Sequence, residues 1–256
     1  MKGVILKDLT WPEAEAAFHD IPVAVLPLGA ASKEHGPHLP LGTDLIWAET
    51  LGQAAVERTR CILLPTLTYG YYPAFVDWPG SISLQPEVFM GVVADIIRSI
   101  ARHGVRRFAI INTGVSTTAP LEIVSRELHD EFDILVAVLL IEGLGAEYWK
   151  TVAQERAGTH AEEKETSFML HVRPDLVRMD RAVNEIEDRG SPAFQTGTGK
   201  TRKVLIGGKM STRSGIHGEA LLATAEKGRG LLDAMTSDVV YLIEELAKAP
   251  LPEPAT

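Results

Sequence analysis

The densest group of reactive side chains lies between Pro27 and Asp44, where Glu34, His35, His38 and Asp44 stand among glycines and prolines. Carboxylate oxygens and imidazole nitrogens together suit zinc, manganese or iron(II), which need several such donors converging within ~2.0–2.2 Å. Gly36, Pro37, Pro40 and Gly42 hold the stretch in a tight turn, so its donors stay close. Each residue alone also has a plainer role. Asp44 could be a first-turn acid favouring a helix dipole, with Thr43 as N-cap, and either histidine could be a polar loop residue. A simple turn does not need so many donors together, and the set reads as a candidate metal site.

A second group runs from Thr159 to Ser167 and contains His160, Glu162, Glu163 and Glu165. Thr159 and Glu162 have the spacing of a capping box, which would satisfy the free amides of a helix start. His160 and Glu165 do not share a helix face, so they border one site only if the end of that helix points into it. Gly197–Thr201 looks like the end of a phosphate-binding loop, but Phe194 stands where the leading glycine belongs and no buried strand precedes it. It reads as a Gly/Thr loop.

The elements that must carry these groups are visible in the hydrophobic pattern. Short apolar runs at Ile21–Leu28, Cys61–Leu67, Arg107–Ile111 and Ile134–Ile141 alternate with helical periodicity at Asp44–Arg58, Pro86–His103 and Ala119–Phe132. Buried strands alternating with helices imply βαβ crossovers and a mainly parallel sheet covered on both faces. Further helices are expected over His160–Val172 and Glu219–Ala247. In such sheets ligands gather at the carboxyl ends of the strands. Two irregular stretches, Tyr69–Gly80 and Glu187–Gly215, are long enough to be site walls. Residues 1–249 are expected to form one domain, with Pro250–Thr256 as a flexible tail.

The motifs resemble those of the creatininase family. Pro27-Leu28-Gly29 through Glu34-His35-Gly36-Pro37-His38-Leu39-Pro40 to Thr43-Asp44 is similar to the family's Pro-x-Gly-Ser-x-Glu-Gln-His-Gly-Pro-His-Leu-Pro-x-x-Thr-Asp. His160-Ala161 and Glu165-Thr166-Ser167 resemble its His-Ala-Gly-x-x-Glu-Thr-Ser. Trp78-Pro79-Gly80-Ser81-Ile82 and Ser214-Gly215-Ile216-His217-Gly218 resemble two further stretches. The resemblance implies a three-layer α/β/α fold and metal-assisted hydrolysis of a C–N amide bond. It implies one or two divalent ions, zinc first and manganese or iron next. Glu34, His35 and Asp44 would hold the ion with Glu165 as a further ligand, and His160 would carry the proton. It also implies a homo-oligomer such as a hexamer.

The match departs at four places. Lys33, not Glu34, aligns with the family's glutamate ligand. Gly114 stands where a metal-binding histidine is usual, and Ser116 where a glutamate is occasional. Ala74, Phe75 and Val76 replace a histidine neighbourhood with an apolar wall, which turns the expected substrate from creatinine towards a lactam, imide or formamide. Either one ion of a pair is lost, or Glu165 supplies the missing bond, or the chain is a degenerate member that binds a small molecule or protein without catalysis. His217 reads as structural.

The bulk composition fits this picture. The chain has 256 residues, is 45% hydrophobic and 23% charged, and carries a net charge of −9, which opposes nucleic-acid binding. Cys61 is the only cysteine, so no internal disulfide forms and a reducing compartment is expected. No signal-like leader and no run near the ~20 residues of a membrane span is seen. A cytoplasmic protein is the expectation.

Overall fold

A computed structural model of the protein describes residues 2–186 and 212–251. Most of the irregular stretch Glu187–Gly215, the Gly197–Thr201 loop and the end of the tail lie outside the described residues. Five strands, β1 (Val4–Ile5), β2 (Val23–Leu28), β3 (Ile62–Leu63), β4 (Arg107–Asn112) and β5 (Leu135–Leu140), form a sheet in the order β1-β3-β2-β4-β5. All pairings are parallel. β2 runs beside β4 from Val23↔Arg107 to Leu28↔Asn112, and β4 beside β5 from Arg107↔Leu135 to Asn112↔Leu140.

Strand side chains alternate between faces, and here each face meets helices. Val23, Val25, Ala109 and Ile111 join a core with Trp47 and Leu51 of α2 (Thr43–Arg58), Phe168 of α6 (Glu163–Val172) and Met235 and Val239 of α7 (Ala225–Lys248). Ala24, Leu26, Phe108 and Ile110 face the other way, onto Phe89, Val93 and Ile97 of α3 (Pro86–Ala101) and Leu121 and Val124 of α4 (Thr118–Phe132). The result is the expected three-layer α/β/α arrangement. The Trp47 and Phe168 rings stack with centroids 3.9 Å apart and tie α2 to α6, a contact adding about 0.5–1.5 kcal/mol beyond area burial.

Beyond the sequence pattern stand β1, α1 (Trp11–Asp20), α5 (Ala146–Val152) and a short antiparallel pair, β6 (Asn184–Glu185) with β7 (Gly218–Glu219). Three expected helix starts are corrected, the last helix beginning at Ala225 because Glu219 is taken up in β7. The N-cap of α2 is Gly42, with Thr43 already inside the helix and its hydroxyl donating to the Pro40 carbonyl at 2.8 Å. The α6 helix begins at Glu163, and its N-cap is Glu162, whose carboxylate accepts from the Glu165 amide. The Thr159–Glu162 capping box therefore does not form: the chain turns at Ala161, with φ +51°, before the helix can start. Among the described residues, no helix is long and apolar enough to cross a membrane.

Because the strands are parallel, Leu28 and Asn112 end at the same edge of the sheet. The chain leaving β2 returns at once: a Cβ on Gly29 would meet the Asp44 carbonyl at 2.2 Å, so only glycine lets the first turn of α2 pack on the strand exit. This closes the loop that carries the reactive groups.

Candidate active site

The β2 loop is folded on itself by a hydrogen bond from the Lys33 amide to the Leu41 carbonyl, 3.0 Å. Within it, His35 is fully buried, with Nδ1 2.9 Å from the Lys33 carbonyl and Nε2 3.0 Å from Asp44 Oδ1. Asp44 Oδ2 lies 2.7 Å from the Lys33 ammonium, an ion pair shut away from solvent. That contact is Coulombic more than directional, for no well-aligned hydrogen bond reaches Oδ2. Burial raises the Asp44 carboxyl pKa, but Lys33 and then His35 outweigh it and hold the group well below the usual carboxylate range.

The second group arrives from the turn before α6. His160 pairs with His217 as an antiparallel bridge, the His217 amide donating to the His160 carbonyl at 2.8 Å. Its Nε2 donates to the Glu34 carbonyl at 2.9 Å and lies 3.2 Å from Glu34 Oε2. Its Nδ1 faces Glu165 Oε2 at 3.8 Å. The Ala161 amide donates to the same Glu165 oxygen at 2.6 Å and fixes it. Ala161 holds the left-handed conformation without being glycine, a strain of about 1–3 kcal/mol that tends to collect at functional sites. The start of α6 does point inward, which lets His160 and Glu165 border one cleft.

Side chains from both loops then meet. The His35 and His160 rings lie 4.8 Å apart. His35, His160 and Glu165 each offer a ligand atom, all within 4.8 Å of one another, which makes them the one group among the described residues able to hold a metal ion. Each histidine has one ring nitrogen on a backbone carbonyl, which can only accept. The other nitrogen therefore faces a carboxylate, the orientation that metal-ligating histidines take. Two imidazoles and a carboxylate fit one zinc, manganese or iron(II) ion. The other two expected ligands border the same histidines and have further partners. Asp44 is held by Lys33 and His35. Glu34 binds His160 and the Gly36 amide, and burial, which raises its pKa, is outweighed by those partners so that the net shift is downward.

The walls are apolar. Phe75 lies 4.7 Å from the His160 ring, and Lys33 Nζ sits 4.8 Å above Phe75 and 5.5 Å above Tyr72. Gly215, with φ +87°, packs against the Glu34 carboxylate so closely that a Cβ would reach Oε1 at 2.0 Å. His38 reaches Thr166 of α6 at 2.8 Å, and burial pushes its pKa down to about 4, so it is a neutral strut between the loops. Tyr72, Phe75 and Gly215 fall in the stretches expected to be site walls, and Lys33 is the position that aligns with the family's glutamate, but their partners were not foreseen.

Comparison with known proteins places this geometry. The model of the family Creatininase, described as creatinine amidohydrolase, matches residues 7–243. A creatinine amidohydrolase from Pseudomonas putida is 29% identical over 95% of this chain and 97% of its own length. A mycofactocin precursor peptide peptidase from Mycobacterium ulcerans is 28% identical over 90% of this chain and 87% of its own length. A solved mutant creatininase of Zn–Zn type superposes with a TM-score of 0.76 at 27% identity, covering 96% of this chain and 98% of that one. The chain belongs to the creatininase family.

Proposed function

We propose that this protein hydrolyses the C–N bond of a small cyclic or simple amide, with one divalent ion held by His35, His160 and Glu165. The observation that carries the reading is the convergence of His35, His160 and Glu165, whose ligand atoms lie within 4.8 Å of one another, with each histidine anchored to a backbone carbonyl through one ring nitrogen. When bound, such an ion supplies Lewis acidity and an activated water near neutral pH.

The rest falls to side chains around the gap. Glu34 is the remaining carboxylate, already ionised and hydrogen-bonded to His160, and it takes the proton of the attacking water and returns it to the departing nitrogen. Here His160 serves as a donor to the ion, and the proton passes to Glu34. Phe75 and the Gly215 turn pack against His160 and Glu34 and help to shield them from bulk water. A relative acting on creatinine and another named a peptide peptidase both support an amide as the target. The apolar Phe75 wall supports a lactam, imide or formamide.

The test is a panel of lactams, cyclic imides and formamides incubated with zinc- or manganese-loaded protein. Gain of one water by mass is the readout. Turnover that disappears in His160→Ala is expected. A panel left intact by loaded, folded protein would favour the non-catalytic reading, in which the same cleft only binds a ligand.

A further inference from the structure

Lys33 has a place in the cleft that the donor group does not use. Its side chain is buried, its ammonium is 2.7 Å from Asp44 Oδ2, and the rings of Phe75 and Tyr72 flank it. An ammonium is kept out of water only when a partner offsets its desolvation, and Asp44 is that partner. The other Asp44 oxygen lies 3.0 Å from His35 Nε2, so the charge of this carboxylate is matched by Lys33.

The neighbouring loop is shaped around the same pair. Gly114 has φ −116° and ψ 123°, a conformation open to any residue, so its need for glycine is one of space. A Cβ there would approach Tyr72 Cε1 at 2.8 Å. Tyr72 thus fills the volume a larger side chain at position 114 would take, and presents its ring to Lys33. Thr113 completes the arrangement, its hydroxyl 3.1 Å from the Asp44 carbonyl and 3.0 Å from that of Leu28. An ammonium matches charge without the full ligand shell that a divalent ion needs.

We propose that Lys33 is the resident cation of Asp44, standing where a second divalent ion would sit, so that the cleft takes one ion where a Zn–Zn relative takes a pair. This rests on the reading that His35, His160 and Glu165 hold the first ion. The two parts separate in one experiment. Zinc is added to the full chain, excess is removed by gel filtration, and bound zinc is measured in wild type, Lys33→Glu, Lys33→Gln and the double variant Lys33→Met/Asp44→Asn.

The wild-type value reads the donor group, with about one equivalent expected. The difference between variant and wild type reads Lys33. Lys33→Glu is expected to bind about one equivalent more, and Lys33→Gln also to exceed wild type. The double variant, which removes both charges and so keeps the fold intact, retains the wild-type amount. Equal zinc in wild type and both folded single variants overturns the proposal, as does loss of zinc from the double variant. An empty wild type with a gain in Lys33→Glu upholds Lys33 and removes the donor group.

Discussion

The loops that follow β2 and β4 leave adjacent strands at the same edge of the sheet, yet they do different work. The β2 loop concentrates charge: Lys33, Glu34, His35 and Asp44 are all buried within it. The β4 loop is neutral. Asn112 Oδ1 accepts from the Gly114 amide and the Thr117 hydroxyl, and Thr113 ties the loop to Leu28 and Asp44 through backbone carbonyls. One loop holds the chemistry, and the other holds the first loop in place and leaves room for Tyr72. The lesson is that a site can move its charge onto one strand exit and leave its neighbour as scaffold.

That division is most easily broken at Glu34. Glu34→Gln is expected to lower kcat by about 10²–10⁴-fold, the usual share of a proton-transfer group, with bound metal unchanged by elemental analysis. Loss of metal together with activity would make Glu34 a ligand. Asp44→Ala should come next, since it strands the Lys33 ammonium in the interior. A destabilisation of about 3–5 kcal/mol in urea unfolding is expected for breaking such a buried pair. In the scaffold loop the effects are smaller. Gly114→Ala drives a methyl into the Tyr72 ring and should cost about 1–3 kcal/mol. Thr113→Val removes two hydroxyl contacts for about 1 kcal/mol and should leave kcat near wild type.

Acid and alkali sharpen the contrast from another side. The native His38 pKa is depressed to about 4 by burial, so the unfolded chain takes up a proton first and stability falls as pH drops from about 6.5 towards 4. Glu155 behaves oppositely. Burial raises it to about 7, with the Glu163 and Glu219 charges adding to the rise, so stability falls as pH climbs from about 4.5 to 7. Thermal melts should show Glu155→Gln gaining a few degrees at pH 8 and nothing at pH 4. A gain that is equal at both pH values would show that Glu155 titrates without strain.

Much of the scaffold was legible in the sequence, because β2 and β4 are buried on both faces and read as apolar runs bounded by turns, and the half-buried edge strand β5 keeps the same apolar run. The α1 helix was missed although Thr10 and Glu13 mark its start, the Thr10 amide donating to Glu13 at 2.7 Å. A strand of two residues such as β1 leaves no periodic trace, whereas β3 falls within the expected run Cys61–Leu67. At the site, residue types pointed to the two groups and their chemistry, and the family resemblance joined them. What spacing could not give was who binds whom. Glu162 looked like half of a capping box because the left-handed Ala161 is invisible in a propensity pattern. The pairing of Lys33 could not be read because its partner, Asp44 at the start of α2, is brought to it by the fold alone.

The central claim is that His35, His160 and Glu165 form a single ion site. It is tested most directly by the metal content of purified protein after incubation with zinc or manganese, set beside folded His160→Ala and Glu165→Ala. About one equivalent in wild type, lost from both variants, is the predicted result. Protein that stays free of metal after loading, or variants that keep the full equivalent, would contradict it.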